Sequence, residues 1–431
     1  MSRAISANLN AHDGLVGAAA SAPPARHVAS APSPIALSVH QDMAEIADDW
    51  RAFTDTADGT VFQTYEWLDT WQRHVGILSD VRPAVVIGRA ADGAILFLLP
   101  LATRPAAFTR ELVFLGTELC DYNGPLLAPE FAAAVPAGRF AALWQSILTQ
   151  LRANARLAFD VVRLEKLPVK IGAQDNPLLS LGTTPNPSGA YATPLAGSWE
   201  EFYAAKRSGA TRNRDRGKRK KLASHGTLAF VEPHDDAAIL ATLDMLVAQK
   251  SRAFARMGVA NIFAQPGCLN FYRAIFTDAA ARHLTHVSRL DCGGETVAVN
   301  LGLTFRRRYY HLQASRDDGE LARFGPGTAH LHELLAAAIA RGFTTYDFTI
   351  GDEPYKREWC DGVTPLFDHY AAASARGLML SAPIAAKARL KRLIKQTPAL
   401  WDAFRRLRSL AGRLTRHGAP AKEPVENNRE P

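Results

Sequence analysis

The amino-acid sequence predicts an α/β protein of two tandem domains, each a mixed, mostly antiparallel sheet flanked by helices, closed by a C-terminal helical hairpin. Three observations lead there. The 431 residues exceed what a single compact core usually serves. Segments of helical and strand periodicity come in the same order twice, helices first, then a meander, then strand–helix–strand. The Pro/Asn/Gly/Ser-rich stretch Pro185–Gly189 separates the two halves. No residue-level internal repeat accompanies the duplicated outline. The domains are expected at 36–195 and 196–378, with a basic helical extension at 379–417.

In chain order, residues 1–35 are rich in Ala, Ser and Pro and read as a disordered tail. Asp13, Pro23 and Pro24 interrupt the place where a secretory signal needs an apolar run. The segment 62–71 has helical spacing, with Trp67 and Trp71 at i, i+4. Strands at 84–89 and 95–103, joined by Asp92-Gly93, form a hairpin. A strand at 111–116, a helix at 131–151 and a strand at 160–164 complete the first half. The second half opens on Ser198-Trp199-Glu-Glu, an N-cap with acids in the first turn. Helices follow at about 236–257 and 267–282. Strands at 284–291 and 296–305 meet at Gly293-Gly294, and a further strand covers 308–315. A helix from Thr328 to Arg341, a strand from Thr345 to Ile350 and a last strand from Pro365 to Ala371 finish the domain. The tail 418–431 is expected to be disordered.

Composition narrows the function. Hydrophobic residues make up 47% and charged residues 21%, ordinary values for a globular enzyme. No run of 18 apolar residues suggests a membrane-spanning helix, and a cytoplasmic location is the default expectation. Cys120, Cys268, Cys292 and Cys360 are widely spaced and suggest neither a disulfide framework nor a zinc site, so no metal is expected. Much of the net charge of +8 sits in two stretches. Lys206–Lys221 holds nine Lys/Arg against Asp215 alone, which reads either as a solvated helix face or as a contact for phosphates or an acidic carrier protein. Lys387–Arg416 holds ten around apolar residues at helical spacing, which fits packing on the second domain or contact with an anionic membrane. No aromatic residues are interleaved as a nucleic-acid stacking platform requires, and DNA is not an expected partner.

Chemistry concentrates between 298 and 359. Gly325-Pro-Gly327-Thr328, with Arg323 just before it, stands between a strand and a helix, where glycines let backbone N–H groups approach phosphate. The next strand leads into Asp347-Phe-Thr-Ile-Gly351-Asp-Glu-Pro-Tyr355-Lys356-Arg-Glu-Trp359. A tyrosine there suits protonation of a departing thiolate, and a lysine suits neutralising an oxyanion or phosphate. Asp347 is a candidate catalytic acid or, equally, an ion-pair partner of Lys356 or Arg357. His311, His330 and His332 read as structural histidines, with His311 or His332 the alternative base.

These motifs resemble the GNAT-type acetyltransferases grouped with bacterial cellulose-biosynthesis acetyltransferases. They are more distantly similar to the FemABX peptidyltransferases, which use two tandem GNAT-like domains. Phe62-Gln-Thr-Tyr-Glu-Trp67, Asp121-Tyr122-Asn-Gly-Pro125 and the start at Ser198 share in the resemblance, which spans roughly 40 to 375. Ala322 departs from the family turn, where the first position is Gln or Arg, and Arg323 comes one place later. The resemblance implies an acyltransferase moving an acetyl or other acyl group from acyl-CoA, or an acyl carrier protein, to an amine or hydroxyl of a small molecule or glycan. By position it implies donor binding by Arg323, Gly325, Gly327 and Thr328, with Tyr355, Lys356 and Asp347 catalytic. The alternatives are transfer from aminoacyl-tRNA and a non-catalytic accessory role in polysaccharide export.

Overall fold

The computed structural model describes residues 34–397 and 400. The expected tail at 418–431, most of that at 1–35 and the second limb of the basic hairpin lie outside the described residues.

The first half runs β1 (Ala36–His40), α1 (Ala47–Thr56), α2 (Tyr65–Trp71), β2 (Arg82–Arg89), β3 (Ile95–Ala106), β4 (Thr109–Phe114), β5 (Leu126–Leu127), α3 (Phe131–Ala134), α4 (Phe140–Ala153), β6 (Val161–Pro168), β7 (Lys170–Ile171), β8 (Gln174–Asp175) and β9 (Thr184–Pro185). The second continues with β10 (Ala190–Pro194), α5 (Trp199–Lys206), α6 (Gly209–Ala223), β11 (Leu228–Val231), α7 (Asp236–Met257), α8 (Cys268–Thr277), β12 (Thr285–Cys292), β13 (Glu295–Phe305), β14 (Arg308–Arg316), α9 (Pro326–Ala340), β15 (Thr345–Ile350), α10 (Pro354–Arg357), β16 (Leu366–Ala372) and α11 (Ala375–Gln396).

Local chemistry explains many of these boundaries. Ser198 and Glu201 close a reciprocal capping box at the start of α5, and Asp235 caps α7 by accepting from the Ala238 amide. Gly258, in the left-handed region at φ 62°, ends α7. The helix expected over 131–151 is broken: Pro136 cannot continue the turn begun by α3, and the chain restarts as α4 after a 3-10 turn at Ala137–Arg139. The second predicted helix of the other half stops at Thr277 rather than 282.

Two mixed sheets with flanking helices result, the α/β architecture expected. Their orders are β1-β2-β3-β4-β6-β16-β9, with β5 on β3, and β10-β15-β14-β13-β12-β11. In β2 the side chains alternate between two cores, Ala84 and Val86 on the α4 side, Val85 and Ile87 on the other. Both faces are covered, which is why the strand is an uninterrupted apolar run. The second of these cores joins the halves, packing Trp50, Phe62 and Trp67 with Leu243, Phe271, Val299 and Tyr310.

Sheet membership does not follow the expected division at 195/196. β10, placed by sequence in the first domain, pairs antiparallel with β15 of the second sheet. β16, the expected last strand of the second domain, pairs antiparallel with β6 of the first from Leu366↔Pro168 to Ala372↔Val161. Each half lends the other a strand, a non-local pairing that periodicity does not encode.

Candidate active site

The site is built where β14 and β15 part. They pair in parallel only at Arg308↔Thr345, Tyr309↔Tyr346 and Tyr310↔Asp347. Beyond Tyr310 the β15-facing edge of β14 has no strand partner among the described residues, although its other edge stays paired with β13 as far as Arg316. Two irregularities open this wedge. Leu301 pairs with Gln313 and Gly302 with His311, so Leu312 is an extra residue that bulges β14. Tyr191 pairs with Thr349 and Ala192 with Asp347, which leaves Phe348 as the extra residue of β15. Thr349 sits at φ 60°, a strained conformation for a β-branched residue.

A cavity of about 800 Å³ fills the wedge. Its lining includes Gly325, Gly327 and Thr328 at the turn before α9, His311–Arg316 of β14, and Asp121, Lys250, Glu353, Tyr355 and Lys356. Gly325 holds φ 68° at the N-cap of α9, which no side chain caps. Pro326 has no N–H, and the Thr328 and Ala329 amides turn back to the Gly325 carbonyl. A side chain at either glycine would project towards cations: a Cβ on Gly325 would lie 3.8 Å from Lys218 Cδ, and one on Gly327 3.4 Å from Arg316 Cδ. A helix N-terminus flanked by lysine and arginine is a fit seat for a pyrophosphate.

Around the wedge the titratable groups differ. The Tyr355 ring lies 6.0 Å from Phe348 and 6.5 Å from His311. Burial, then the Glu353 charge, raise the pKa of its hydroxyl, which therefore stays protonated at neutral pH. Lys356 is buried, donates to the Ile350 carbonyl at 2.9 Å and pairs with Glu353 at 2.9 Å. Burial raises the Asp121 carboxyl against the opposing pull of Lys166, Thr349 and Lys356. The loop that carries it comes from the first half and is pinned on both sides. Lys166 donates to the Cys120 carbonyl at 2.6 Å, Gln63 to the Tyr122 carbonyl at 2.9 Å, and the Tyr122 hydroxyl to Asp347 Oδ1 at 2.8 Å. Both halves therefore contribute to one cavity.

Of the sequence-predicted residues, Gly325, Gly327, Thr328, Tyr355 and Lys356 meet at this cavity. Asp347 and Arg323 are not among its lining residues. Asp347 is fully buried, accepting from Tyr122, from Arg308 Nη1 at 2.7 Å and from the Thr349 amide at 2.8 Å. Its oxygens are engaged between the halves, in an ion pair with Arg308 where the sequence offered Lys356 or Arg357. Arg323 is exposed, its guanidinium stacked 4.8 Å over Phe324. His311 bonds the Tyr346 hydroxyl at 2.9 Å and His330 the Ser288 hydroxyl at 3.0 Å; burial lowers both to a pKa of about 3. His332, packed against Trp199, Tyr203 and Trp359, falls to about 4 through burial. All three are neutral at physiological pH, as expected of structural histidines. Sequence reading missed Lys250, Glu353 and Arg316, and gave Asp121 no role.

The parting of two parallel strands in front of a glycine-capped helix agrees with what comparison finds. Residues 209–357 match a family model described as an acetyltransferase (GNAT) domain. Residues 209–357 therefore have a GNAT-type fold. Over 81% of its length and 98% of the other, the chain superposes on the crystal structure of FemX with a TM-score of 0.53 at 13% identity. L-PGS from Bacillus licheniformis follows at 0.46 and 12% identity, over 81% and 97% of the two chains. A tandem GNAT protein from the clavulanic acid biosynthesis pathway gives 0.43 and 11%, over 79% and 99%. No curated protein matches the sequence. Among the described residues no group of histidine, cysteine and carboxylate side chains is arranged to hold a metal ion, and no helix is long and apolar enough to cross a membrane.

Proposed function

We propose that this chain transfers an acyl group from a thioester of the acyl-CoA type to an amine or hydroxyl acceptor held between its two halves. The observation that carries the reading is the continuous cavity from the Gly325–Thr328 turn, along the unpaired edge of β14, to Tyr355. The donor's pyrophosphate rests on the α9 N-terminus between Lys218 and Arg316. Its amide-bearing arm adds to the free edge of β14 as a strand would, and backbone N–H groups near the Leu312 bulge polarise the thioester carbonyl. The acceptor attacks directly, and Tyr355 protonates the departing thiolate. Lys356 and Glu353 brace α10 and keep that tyrosine at the wedge. A cell-envelope glycan is the acceptor class the family resemblance suggests.

The reading is tested with a panel of acyl-CoAs. At least one should raise the melting temperature, since a ligand at 100 times its Kd stabilises the folded state by about 2.7 kcal/mol. The same compound should release free thiol when an acceptor is supplied. No stabilisation by any acyl-CoA would end the reading.

A second reading, transfer from aminoacyl-tRNA, draws on one feature: Arg214, Lys218, Lys220 and Lys221 are exposed along α6, the helix beside the phosphate turn. It requires tRNA to bind with strong salt dependence and to compete with acyl-CoA.

A further inference from the structure

We propose that Lys250 is the base that takes the proton from the attacking acceptor, a role that rests on the acyl-transfer reading of this cavity. α7 turns one stripe to the core, with Ile239, Leu243 and Leu246 buried. Position 250 continues that stripe at helical spacing, where an apolar residue is the rule. A lysine stands there instead and lines the cavity beside Gln249, Ala253 and Phe254. Among the described residues it forms no salt bridge; its ammonium lies 5.5 Å from the centre of the Phe254 ring. Glu353, the carboxylate whose charge it senses most, is already bonded to Lys356 at 2.9 Å. A half-buried amine on an apolar stripe, without a dedicated counter-charge and open to the proposed reaction cavity, is costly to keep unless it is used.

Burial favours its neutral form. It lowers the pKa first, the Glu353 charge opposes it, and the Lys356 charge lowers it further, leaving about 8. His311 on β14 is neutral and contributes no charge. Asp121 lines the same cavity from the first half, and Arg207, Arg256, Arg316, Asp318 and Glu358 line it from the second. On the helix of Lys250, Arg252 is tied to Asp317 and Asp318. The balance of the step is simple. The acceptor nitrogen or oxygen forms a bond to the thioester carbon and the carbon–sulfur bond breaks. The acceptor's proton passes to the neutral Lys250 amine, which becomes an ammonium. The thiolate takes the Tyr355 proton, and both side chains re-equilibrate with solvent before the next turnover.

Two measurements on the intact chain test this. Competitive acetylation by acetic anhydride across pH, read by mass spectrometry, should show Lys250 titrating near 8, well below the exposed lysines. Titration together with the surface lysines overturns the proposal. With acetyl-CoA and glucosamine as donor and acceptor probes, kcat/KM should rise with pH to a plateau above that value. Lys250→Met and Lys250→Arg should lose that limb and about 10²–10⁴-fold in rate, with thermal stabilisation by acetyl-CoA retained. Ethylamine should restore part of the rate to Lys250→Ala. An unchanged pH profile in Lys250→Met, or an acetyl-Lys250 intermediate that turns over with the reaction, overturns the base assignment while leaving acyl transfer intact. Failure of the wild-type chain to bind acetyl-CoA or release thiol overturns both.

Discussion

Tyr355 and Lys356 are neighbours in the chain, yet the single turn of α10 gives them different work. Tyr355 faces the wedge, while the Lys356 ammonium is held by the Ile350 carbonyl and Glu353. Tyr355→Phe should therefore leave donor affinity nearly intact by calorimetry and slow thiol release by about 10²–10⁴-fold. Full activity in this variant would remove the tyrosine from the chemistry. The histidines make a different residue-scale prediction. His311, His330 and His332 have folded pKa values near 3, 3 and 4, below the ordinary value of 6.5. The unfolded chain thus binds more protons than the folded one below that ordinary value. Their contribution is fully present above about pH 6.5 and lost as pH falls, by up to about 1.4 kcal/mol per pH unit for each histidine. Urea melts between pH 7 and 5 should show the decline, and it should shrink in His330→Gln. A pair such as Tyr355 and Lys356 was legible in the sequence because a polar loop after an apolar strand is a known place for chemistry. Lys250 was not, because a lysine within a long helix reads as solvated unless its position on the buried stripe is noticed. The partners of Asp347 were hidden for a related reason: one dimension does not say which side of a strand faces another domain.

At the scale of elements, the turn before α9 and the basic helix α6 act together. Gly325 needs its left-handed backbone, whereas Gly327 does not, and a Cβ at 327 meets only Arg316 at ordinary contact distance. Gly327→Val should accordingly fold as the wild type does, by circular dichroism, and lose donor binding by filling the space the phosphates occupy. Undiminished acetyl-CoA binding in the folded variant would refute the phosphate seat. Reversing Arg214, Lys218 and Lys221 to Glu should weaken donor binding in low salt and matter less at high salt, where exposed charges are screened. Arg219 serves a different end, since it is paired with Glu333 of α9 and ties the two helices. The glycine turn was visible in the sequence; that the basic stretch forms a helix against the same turn was not, because charged residues carry no periodic apolar signal to place them.

At the scale of the whole molecule, the two halves are bound by an exchanged strand each way, a shared core and the buried carboxylate of Asp347. Asp347→Ala would leave the Tyr122 hydroxyl, the Thr349 amide and the Arg308 guanidinium without their common acceptor. Arg308 keeps 42% of its side chain exposed, so the cost falls mainly on the buried hydroxyl and amide, about 1–3 kcal/mol for each, which a denaturant melt would register. The strand exchange has the larger consequence. A fragment of residues 196–378, the second domain as sequence periodicity delimits it, lacks β10 and so bares one edge of β15 in the second sheet. It keeps β16, whose antiparallel partner β6 has been removed, leaving a strand edge and its apolar residues facing water. The cavity also loses Asp121, and Phe271 loses Trp67 of α2, whose ring packs edge-on against it at 4.8 Å. This fragment should therefore be aggregated or molten, with exposed apolar surface detectable by dye binding, while residues 34–397 together give one cooperative unfolding transition. A soluble, acyl-CoA-binding 196–378 fragment with a sharp melt would show that the catalytic half folds alone and that the exchanged strands are dispensable.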